Sequence, residues 1–448
     1  MDRKMREGGL RPTSRITQWK DVTADTIYVY FALLTATGIT IKSDIKEYWE
    51  KNEITWSPFF SRYISYNQFF LINMCLHFVD NNIIDIQTLT RPQAKLYKIL
   101  PVIQHLNSRF QQLYHLNKNI ALDESLTEWK GSLAIKQYIK NKAAGIGVKT
   151  YEVCDSSTGY LWRFKVHAGR EEGAATETTQ VLGYTSNLVL ELLEGLENKG
   201  HCVWMDNFYN SPALARILKS KGFDCVGTLR TNRQGVPAEI KHLKKSDMTV
   251  GQISGCTSGD VDIVVWRDTN RVAMISTYHG AAVRTVEMKT KPIVVHDYNV
   301  FMGGVDRKDQ MLSMYPLERK RTRIWYKKFF RRLLNVSILN AFILHRDSGT
   351  GHIRQHRAFR KELVSQLLRK HYRQDASIDI VPRMLPKRGP LLSKEVLSHF
   401  LKQYGLVPNT TRNERIRHSC VLCHKRQSTY CPACNVPLCI DCSVIYHS

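Results

Sequence analysis

The sequence predicts a mixed α/β protein in which helices cover a central sheet and a small cysteine-rich domain follows. Helical apolar periodicity runs through residues 19–115. Short β-rich segments begin at Asn119 and then alternate with helices. Six of the 11 cysteines lie between Cys420 and Cys442. At roughly 100 to 200 residues per domain, the chain is long enough for two to four domains.

The first predicted elements are helices. Thr23 is placed to cap a helix from Ala24 to Thr37, and Ser65 to cap one from Tyr66 to His77, because a hydroxyl can accept a backbone N–H at a helix start. One long amphipathic pattern then runs from Pro92 to Tyr114.

Strands are predicted from Asn119 onward. IALD, KTYEVCD and YLWRFKVHAG are β-rich, TSNLVLELLEGL is helical, and HCVWMDN is a buried strand. A helix opened by Pro212 and closed by Gly222 precedes the strand FDCVGTL. Residues 231–291 are interpreted as an insertion with a hairpin around VDIVVWRDTNRVAMIST, and the basic segment after Met314 is helical again.

The charge balance is strongly positive. The chain has 65 Lys+Arg and 40 Asp+Glu, which give a net charge of +25 and indicate a polyanionic partner. Nucleic acid is the first candidate and an anionic membrane the second. The sequence has no apolar run of about 18 residues and no signal-peptide pattern at its start, so we expect neither a membrane span nor secretion. A cytosolic or nuclear compartment is expected.

Acidic residues stand where predicted strands end or a helix begins. Asp123 closes the strand in NIALDE, Asp206 closes VWMDN, and Asp306 and Asp309 follow the Gly-Gly turn in FMGGVDRKDQ. On a helix, Asp306 and Asp309 would share one face. Converging carboxylates suit phosphoryl transfer with two divalent cations, because Mg²⁺ prefers hard oxygen ligands. The alternative is a set of ordinary caps, turns and solvated faces.

Residues 316–332, PLERKRTRIWYKKFFRR, combine eight Lys/Arg with one acid and four aromatic residues. Basic side chains neutralise phosphates and aromatic rings stack on unpaired bases, which suits distorted DNA. The predicted DNA contacts are Arg319, Lys320, Arg321, Arg323, Trp325, Lys327 and Lys328. In the alternative interpretation, Phe329, Phe330, Leu333 and Leu334 are the core face of an amphipathic helix. The run HIRQHRAFRKELVSQLLRKHYR has the same two interpretations.

The tail contains three C-x2-C pairs followed by His447. The pairs are Cys420 and Cys423, Cys431 and Cys434, and Cys439 and Cys442. Thiolates at this spacing, in a segment too small for its own core, predict structural Zn²⁺.

The strings LDESLTEWKG, MDNFYNS and DYNVFMGGVDRKDQM, then the basic WYKKFF helix and the cysteine cluster, resemble in this order the piggyBac transposase family. The resemblance runs from Trp19 to His447. It implies an RNase H-like catalytic core of the DDE/D type that cuts and joins DNA at TTAA sites. Asp123, Asp206, Asp306 and Asp309 match the four family aspartates, and none is substituted.

The resemblance also implies ligands. Asp123, Asp206 and Asp306 would hold Mg²⁺ or Mn²⁺, with Asp309 as a supporting or additional ligand, and Trp325 matches a family tryptophan near the catalytic centre. One Zn²⁺ would be held by Cys420, Cys423, Cys439 and Cys442. Cys431, Cys434 and His447 would begin a second site, for which His424 is a substitute fourth ligand.

The same resemblance, together with the composition breaks, predicts the domain organisation. The predicted ranges are a basic tail (1–17), a helical dimerisation and DNA-binding domain (18–117 and 314–395), a catalytic core (118–230 and 292–313), the insertion (231–291), a linker (396–415) and a cysteine-rich zinc domain (416–448).

We therefore expect a nuclear, homodimeric, cut-and-paste transposase that acts on double-stranded DNA at its terminal repeats and TTAA target, with no membrane partner. The alternative is a domesticated derivative that binds DNA without transposing. Family transposases carry a long acidic region ahead of the WKD motif, and only 18 residues precede Trp19 here, which favours the alternative. The four intact carboxylates favour the enzyme. A ubiquitin ligase built on a RING-like zinc domain is a third hypothesis, and the charge of +25 argues against it.

Overall fold

The computed structural model describes residues 14–140, 142, 144–169, 177–286, 289–318, 322–349, 352–372, 401–408 and 415–447. The chain divides into two compact units, Met1–Arg373 and Gln374–Ser448. In the described ranges, every helix is either too short or too polar to span a bilayer.

The first unit begins with helices. They are α1 (Ala24–Ile39), α2 (Pro58–Tyr63), α3 (Tyr66–Cys75), α4 (Arg91–Leu96) and α5 (Leu100–Leu113), with 3-10 turns at Arg15–Gln18, Lys46–Tyr48 and Ile86–Thr88. Both predicted caps are confirmed: Thr23 accepts the N–H of Thr26 and Ser65 that of Gln68, each at 3.2 Å. The continuous pattern predicted from Pro92 divides into α4 and α5. Pro101 starts α5, because proline lacks an N–H and is tolerated only in a first turn.

A nine-stranded sheet follows. Its strands are β1 (Asn119–Glu128), β2 (Lys136–Tyr138), β3 (Ile146–Asp155), β4 (Leu161–Val166), β5 (Cys202–Met205), β6 (Asp224–Thr228), β7 (Ile253–Ser258), β8 (Val261–Arg267) and β9 (Arg271–Ser276). The order is β2-β3-β1-β5-β6-β9-β8-β7, with β4 also beside β3. β1 is antiparallel to β3 and parallel to β5, which is parallel to β6. This order for β4, β3, β1, β5 and β6 is the RNase H-like arrangement that the resemblance implies.

The segment interpreted as an insertion extends this sheet. The predicted hairpin is formed by β8 and β9, and β9 pairs with β6 at the edge of the five core strands. A short antiparallel pair follows, β10 (Val283–Val286) and β11 (Lys289–Pro292). An insertion that continues a sheet satisfies the backbone groups that an edge strand would expose.

Helices cover the sheet. They are α6 (Glu177–Leu193, interrupted at Gly183), α7 (Pro212–Ser220), α8 (Ala238–His242), α9 (Ile293–Phe301), α10 (Gly304–Ser313), α11 (Trp325–Asp347) and α12 (His356–His371), with a 3-10 turn at Lys245–Asp247. Phe329 and Leu333 of α11 are 1% and 3% exposed and join the core of the sheet, which confirms the alternative interpretation for these two residues.

A separate apolar cluster holds the N-terminal helices together. Tyr30 and Leu33 of α1 pack with Phe60 and Phe69, and Val364 and Leu368 of α12 join them. Residues about 300 positions apart in sequence thus form one helical core. Residues 352–372 of the basic run therefore have a core face as well as an exposed face with Arg357, Lys361 and Lys370.

The second unit has short strands around its cysteines. The elements are β12 (Lys402–Gln403), β13 (His418–Ser419), β14 (Arg426–Gln427), β15 (Thr429–Cys431), β16 (Val436–Pro437) and α13 (Ile440–His447). Its small core is formed by Leu438 and buried cysteines, too little to stabilise a fold by burial alone.

Candidate active site and cysteine cluster

Two predicted acids lie side by side where the pairing of β1 with β5 ends. Asp206 directly follows β5, whereas Asp123 lies within β1, which continues to Glu128; this corrects the expectation that Asp123 closes its strand. In the parallel register of β1 and β5, Leu122 is opposite Met205, so the next residues, Asp123 and Asp206, are neighbours. Adjacent strands lie about 4.8 Å apart. The two carboxylates are therefore close together at the carboxyl end of β5. The N–H of Phe208 donates to Oδ1 of Asp206 at 2.8 Å and orients that carboxylate.

Helix α10 brings the third acid to the same place. Asp306 lies in its first turn, and the helix packs directly on β1 and β3. A Cβ at Gly304 would lie 3.0 Å from Cβ of Ala121 and 3.0 Å from the carbonyl oxygen of Asp155. A glycine is therefore needed for the close approach that places Asp306 beside Asp123.

Lys142 joins two of the acids. Its ammonium lies 3.1 Å from Oδ2 of Asp123 and 3.1 Å from Oδ1 of Asp306. Lys142 comes from the loop between β2 and β3, in which the N–H of Ile139 donates to the carbonyl of Gly145 and the N–H of Gly145 to that of Lys142. This lysine was not among the residues predicted from the sequence. A sequence signal for Lys142 would have been its position in the loop between β2 and β3, because β3 pairs with β1, the strand that carries Asp123.

Burial perturbs these carboxylates. It raises the pKa of Asp123 to about 7, with Lys142 acting in the opposite direction and Glu124 adding to the rise. Burial also raises the pKa of Asp206. Burial alone would lower the pKa of Lys142, but Asp123 and Asp306 hold it above its ordinary value. Carboxylate oxygens are the ligands that a hard divalent cation prefers. The three acids are spaced more widely than a closed ligand group, with the Lys142 ammonium between two of them.

Asp309 has a different environment from Asp306. Ser125 of β1 donates to both of its oxygens, at 3.1 and 2.8 Å, and Lys308 and Arg332 form ion pairs with it. Lys308 also pairs with Glu152 in the interior. Protein cations thus hold the Asp309 carboxylate, and its role as a supporting metal ligand stays a prediction. Ser125 was missed, although strand periodicity places it on the face of Asp123.

Glu124 occupies the opposite face of β1. The hydroxyl of buried Tyr209 donates to its Oε2 at 2.7 Å, and the Lys149 ammonium lies 3.5 Å from Oε1. Glu124 thus adds negative charge behind Asp123 and Asp206 without facing them. Glu124 was also absent from the predicted site residues.

The basic helix differs from its prediction at two lysines. The Lys327 ammonium donates to the carbonyl oxygens of Asn73 and Met74 at 2.8 and 2.7 Å, and Lys328 lies 3.5 Å from Glu128. Both are buried, at 6% and 5% exposed. This corrects their predicted contact with phosphates.

Arg323 and Trp325 are accessible. Arg323 is exposed, and Trp325 begins α11 half-buried, with its ring edge-to-face with Tyr326 at a centroid distance of 6.1 Å. The predicted contacts Arg319, Lys320 and Arg321 lie outside the described residues.

Four cysteines of the second unit form a metal-ligating group. The Sγ atoms of Cys420, Cys423, Cys439 and Cys442 all lie within 4.8 Å of one another. Within the described part of the chain, no other three His, Cys, Asp or Glu side chains are grouped this closely. Burial raises a thiol pKa, but backbone N–H groups of Cys423, Cys439 and Leu422 lower the pKa of Cys420 to about 6. Such a thiolate can hold a metal ion.

The other two cysteines of the C-x2-C pairs, Cys431 and Cys434, form a separate pair. Cys431 is buried, and its thiol is hydrogen-bonded to that of Cys434. The side chain of His447 lies outside the described residues. His424 adopts a φ of 57° in the turn after Cys423.

Comparisons with known proteins agree with this geometry. A family model described as Transposase IS4 matches residues 3–342. PiggyBac transposable element-derived proteins 2 and 3 of Homo sapiens are each 26% identical, over 75% and 90% of this chain and 58% and 66% of their own lengths. The chain thus spans less than two thirds of these relatives. A piggyBac transposase solved by cryo-EM as a synaptic complex with hairpin DNA is 22% identical, with a TM-score of 0.73 over 98% of this chain and 92% of that one.

The fold is therefore that of a transposase of the piggyBac type. The chain belongs to the Transposase IS4 family, among its piggyBac-type members. Its motifs look most like those of piggyBac transposable element-derived protein 4, and that closer assignment stays a prediction.

Proposed function

We propose that this chain is a metal-dependent, cut-and-paste DNA transposase with Asp123, Asp206 and Asp306 at its active site. The observation that supports the proposal is their convergence. Asp123 of β1 and Asp206, which follows β5, are neighbours where the pairing of these parallel strands ends, and Asp306, 183 positions after Asp123, shares one ammonium with it. Burial raises the pKa of Asp123 and Asp206, and buried acids with raised pKa values are typical of functional sites.

The three carboxylates would hold Mg²⁺ or Mn²⁺. When bound, the metal supplies positive charge for the attacking and leaving oxygens of phosphoryl transfer. Protein residues position the carboxylates. Phe208 orients Asp206, and Gly304 lets α10 approach β1. Asp309 holds α10 in place through Ser125 and Arg332. Asp309 is a positioning residue in this proposal.

The substrate is double-stranded DNA with terminal repeats beside TTAA. Water would nick the transposon end, and the freed 3′-hydroxyl would attack the opposite strand, forming a hairpin and releasing the flanking DNA. A second water would open the hairpin and regenerate the 3′-hydroxyl, which would then attack a TTAA phosphodiester and displace its 3′-oxygen. The net charge of +25 supports a DNA partner, and the relative of the same fold was solved with hairpin DNA. The proposal includes a homodimer and a nuclear location.

The cysteine group would hold Zn²⁺ through Cys420, Cys423, Cys439 and Cys442. Four thiols at this spacing support zinc over a hard cation. Cys431, Cys434 and His447 would begin a second zinc site. Neither site takes part in strand cleavage.

The test is a cleavage assay with labelled DNA that carries a piggyBac-type terminal repeat beside TTAA. Nicks and hairpins on a denaturing gel are expected with Mg²⁺ and not with EDTA. Asp123→Asn, Asp206→Asn and Asp306→Asn should each abolish cleavage and retain DNA binding. Asp260→Asn, at an exposed turn after β7, is the matched control and should cleave normally.

Two results would decide against the enzyme. Full cleavage by one of the three Asn variants would remove that residue from the site. Specific binding to the terminal repeat with no cleavage in Mg²⁺ or Mn²⁺ would instead support the alternative, a domesticated DNA-binding protein.

A further inference from the structure

Lys142 occupies the space between Asp123 and Asp306. One ammonium lies 3.1 Å from an oxygen of each, and the lysine side chain is only 21% exposed. Three donors on a compact charge let one lysine bridge two carboxylates. The side chain of Asp306 is 61% exposed, so this space opens to solvent on the Asp306 side.

A divalent cation and this ammonium exclude each other. Mg²⁺ lies about 2.1 Å from its oxygen ligands, so an ion that contacts Asp123 and Asp306 would meet the ammonium at short range. Two positive charges that share these two oxygens would repel strongly at this range. A metal bound to the same oxygens would therefore displace the ammonium.

We propose that Lys142 is a placeholder for the active-site metal: it holds Asp123 and Asp306 in position in the metal-free protein and is displaced when a divalent cation binds. This inference rests on the proposed function of the same site. The β2–β3 loop carries the lysine on its own backbone hydrogen bonds, between Ile139 and Gly145 and between Gly145 and Lys142. Rotation about the flexible lysine stem is therefore enough to release the ammonium, and the hairpin keeps its bonds.

The placeholder has two consequences. It stabilises the metal-free protein, because without it Asp123 and Asp306 would face each other without a cation. It also weakens the affinity for the metal, because binding has to break both contacts of the ammonium. A lysine with a purely structural role would have the first effect and not the second.

The test measures Mn²⁺ binding to the full chain without DNA, by electron paramagnetic resonance of the free ion. We expect Lys142→Met to bind Mn²⁺ about tenfold more tightly than the unsubstituted protein, equivalent to about 1.4 kcal/mol. Lys140→Met is the matched control, since it removes the same charge from an exposed position two residues away. Its affinity should change by less than about twofold, because exposed charges are screened by salt.

Thermal melts provide the second measurement. Without metal, Lys142→Met should melt below Lys140→Met, and saturating Mn²⁺ should raise its melting temperature more than that of the unsubstituted protein. Lys142→Gln, which keeps a polar side chain, checks that the gain in affinity does not depend on methionine.

The outcomes separate this inference from the proposed function. Mn²⁺ binding that Asp123→Asn abolishes, but that is equally strong with and without Lys142, would overturn the placeholder alone. Weaker binding by Lys142→Met would overturn it too. No Asp123-dependent Mn²⁺ binding in any variant would overturn the metal site and the placeholder together.

Discussion

Asp309 of α10 and Arg332 of α11 form an ion pair beside the proposed active site. Ser125 of β1 donates to the same carboxylate at 2.8 Å. One carboxylate thereby connects the central strand, the helix that carries Asp306 and the long helix that follows. The ion pair therefore helps to hold α10, and with it Asp306, beside Asp123.

Asp309→Asn should destabilise the protein by about 3–5 kcal/mol at neutral pH, because the buried Lys308 and the mostly buried Arg332 lose their carboxylate partner. Lys308 and Arg332 lower the pKa of Asp309 to about 2, although burial opposes them. A lowered carboxyl pKa contributes stability that is complete above the ordinary value, near 4, and is lost as the pH falls through 2. Urea unfolding at several pH values should show this loss in the unsubstituted protein and not in the variant. Equal pH dependence in both would contradict the ion pair.

The two adjacent glycines before Asp306 should respond differently to alanine. At Gly304 a Cβ meets Ala121 and Asp155 at 3.0 Å, whereas at Gly303 nothing lies within 4 Å and φ is −73°. Gly304→Ala should therefore shift α10 and lower the cleavage rate, by up to about 100-fold if Asp306 moves by about 1 Å. Gly303→Ala should cleave normally. Single-turnover cleavage and urea unfolding of both variants test this, and equal rates would argue against the close approach.

Arg323 and Lys327 should separate DNA contact from folding. Arg323→Ala is expected to flatten the dependence of log K on log salt by about 0.9, if the exposed guanidinium contacts one phosphate. Lys327→Ala should leave that slope unchanged and reduce stability, because its ammonium binds the carbonyls that end α3. Binding titrations from low to high salt measure the slopes. A reduced slope for Lys327→Ala would show that its burial is incompatible with the DNA-bound state.

The control position for Trp325 is Phe329, one turn further along α11. Phe329 is 1% exposed, so Phe329→Ala should cost about 3–5 kcal/mol of stability. Trp325 is only half-buried, so Trp325→Ala should cost less. If its ring stacks on an unpaired base, the substitution should remove about 1–3 kcal/mol of stacking free energy and reduce hairpin formation. The salt dependence of duplex binding should stay unchanged. A melting temperature as low as that of Phe329→Ala, with loss of duplex binding, would refute stacking.

The cysteine group should bind Zn²⁺ as part of its folding. Elemental analysis of the purified chain should find one ion that Cys439→Ser removes, because Cys439 is one of four converging thiols. Cys75→Ser lies outside the group and should retain all the zinc. A second ion that Cys434→Ser removes would support the second site. A total of one ion would mean that Cys431 and Cys434 lack further ligands.

Local sequence determined the elements and the candidate acids. Thr23 and Ser65 cap helices through contacts three residues away, and Asp123 and Asp206 follow apolar runs that are continuous in sequence. Proximity along the chain determines such contacts, so residue type and spacing predict them. Pro101 was the exception, because the apolar period continued across it while its backbone could not.

Tertiary structure alone decided how the charged groups are paired. Nothing near Lys142 in sequence indicates Asp306, which lies 164 positions away, and Ser125 and Asp309 are 184 apart. Lys327 and Arg323 stand in one basic run, yet the packing of α11 buries one and exposes the other. The sequence does not distinguish a charged side chain that faces solvent from one that faces a carboxylate or a helix end. Long-range packing determines its partner, and with it whether the residue can contact DNA or hold the site together.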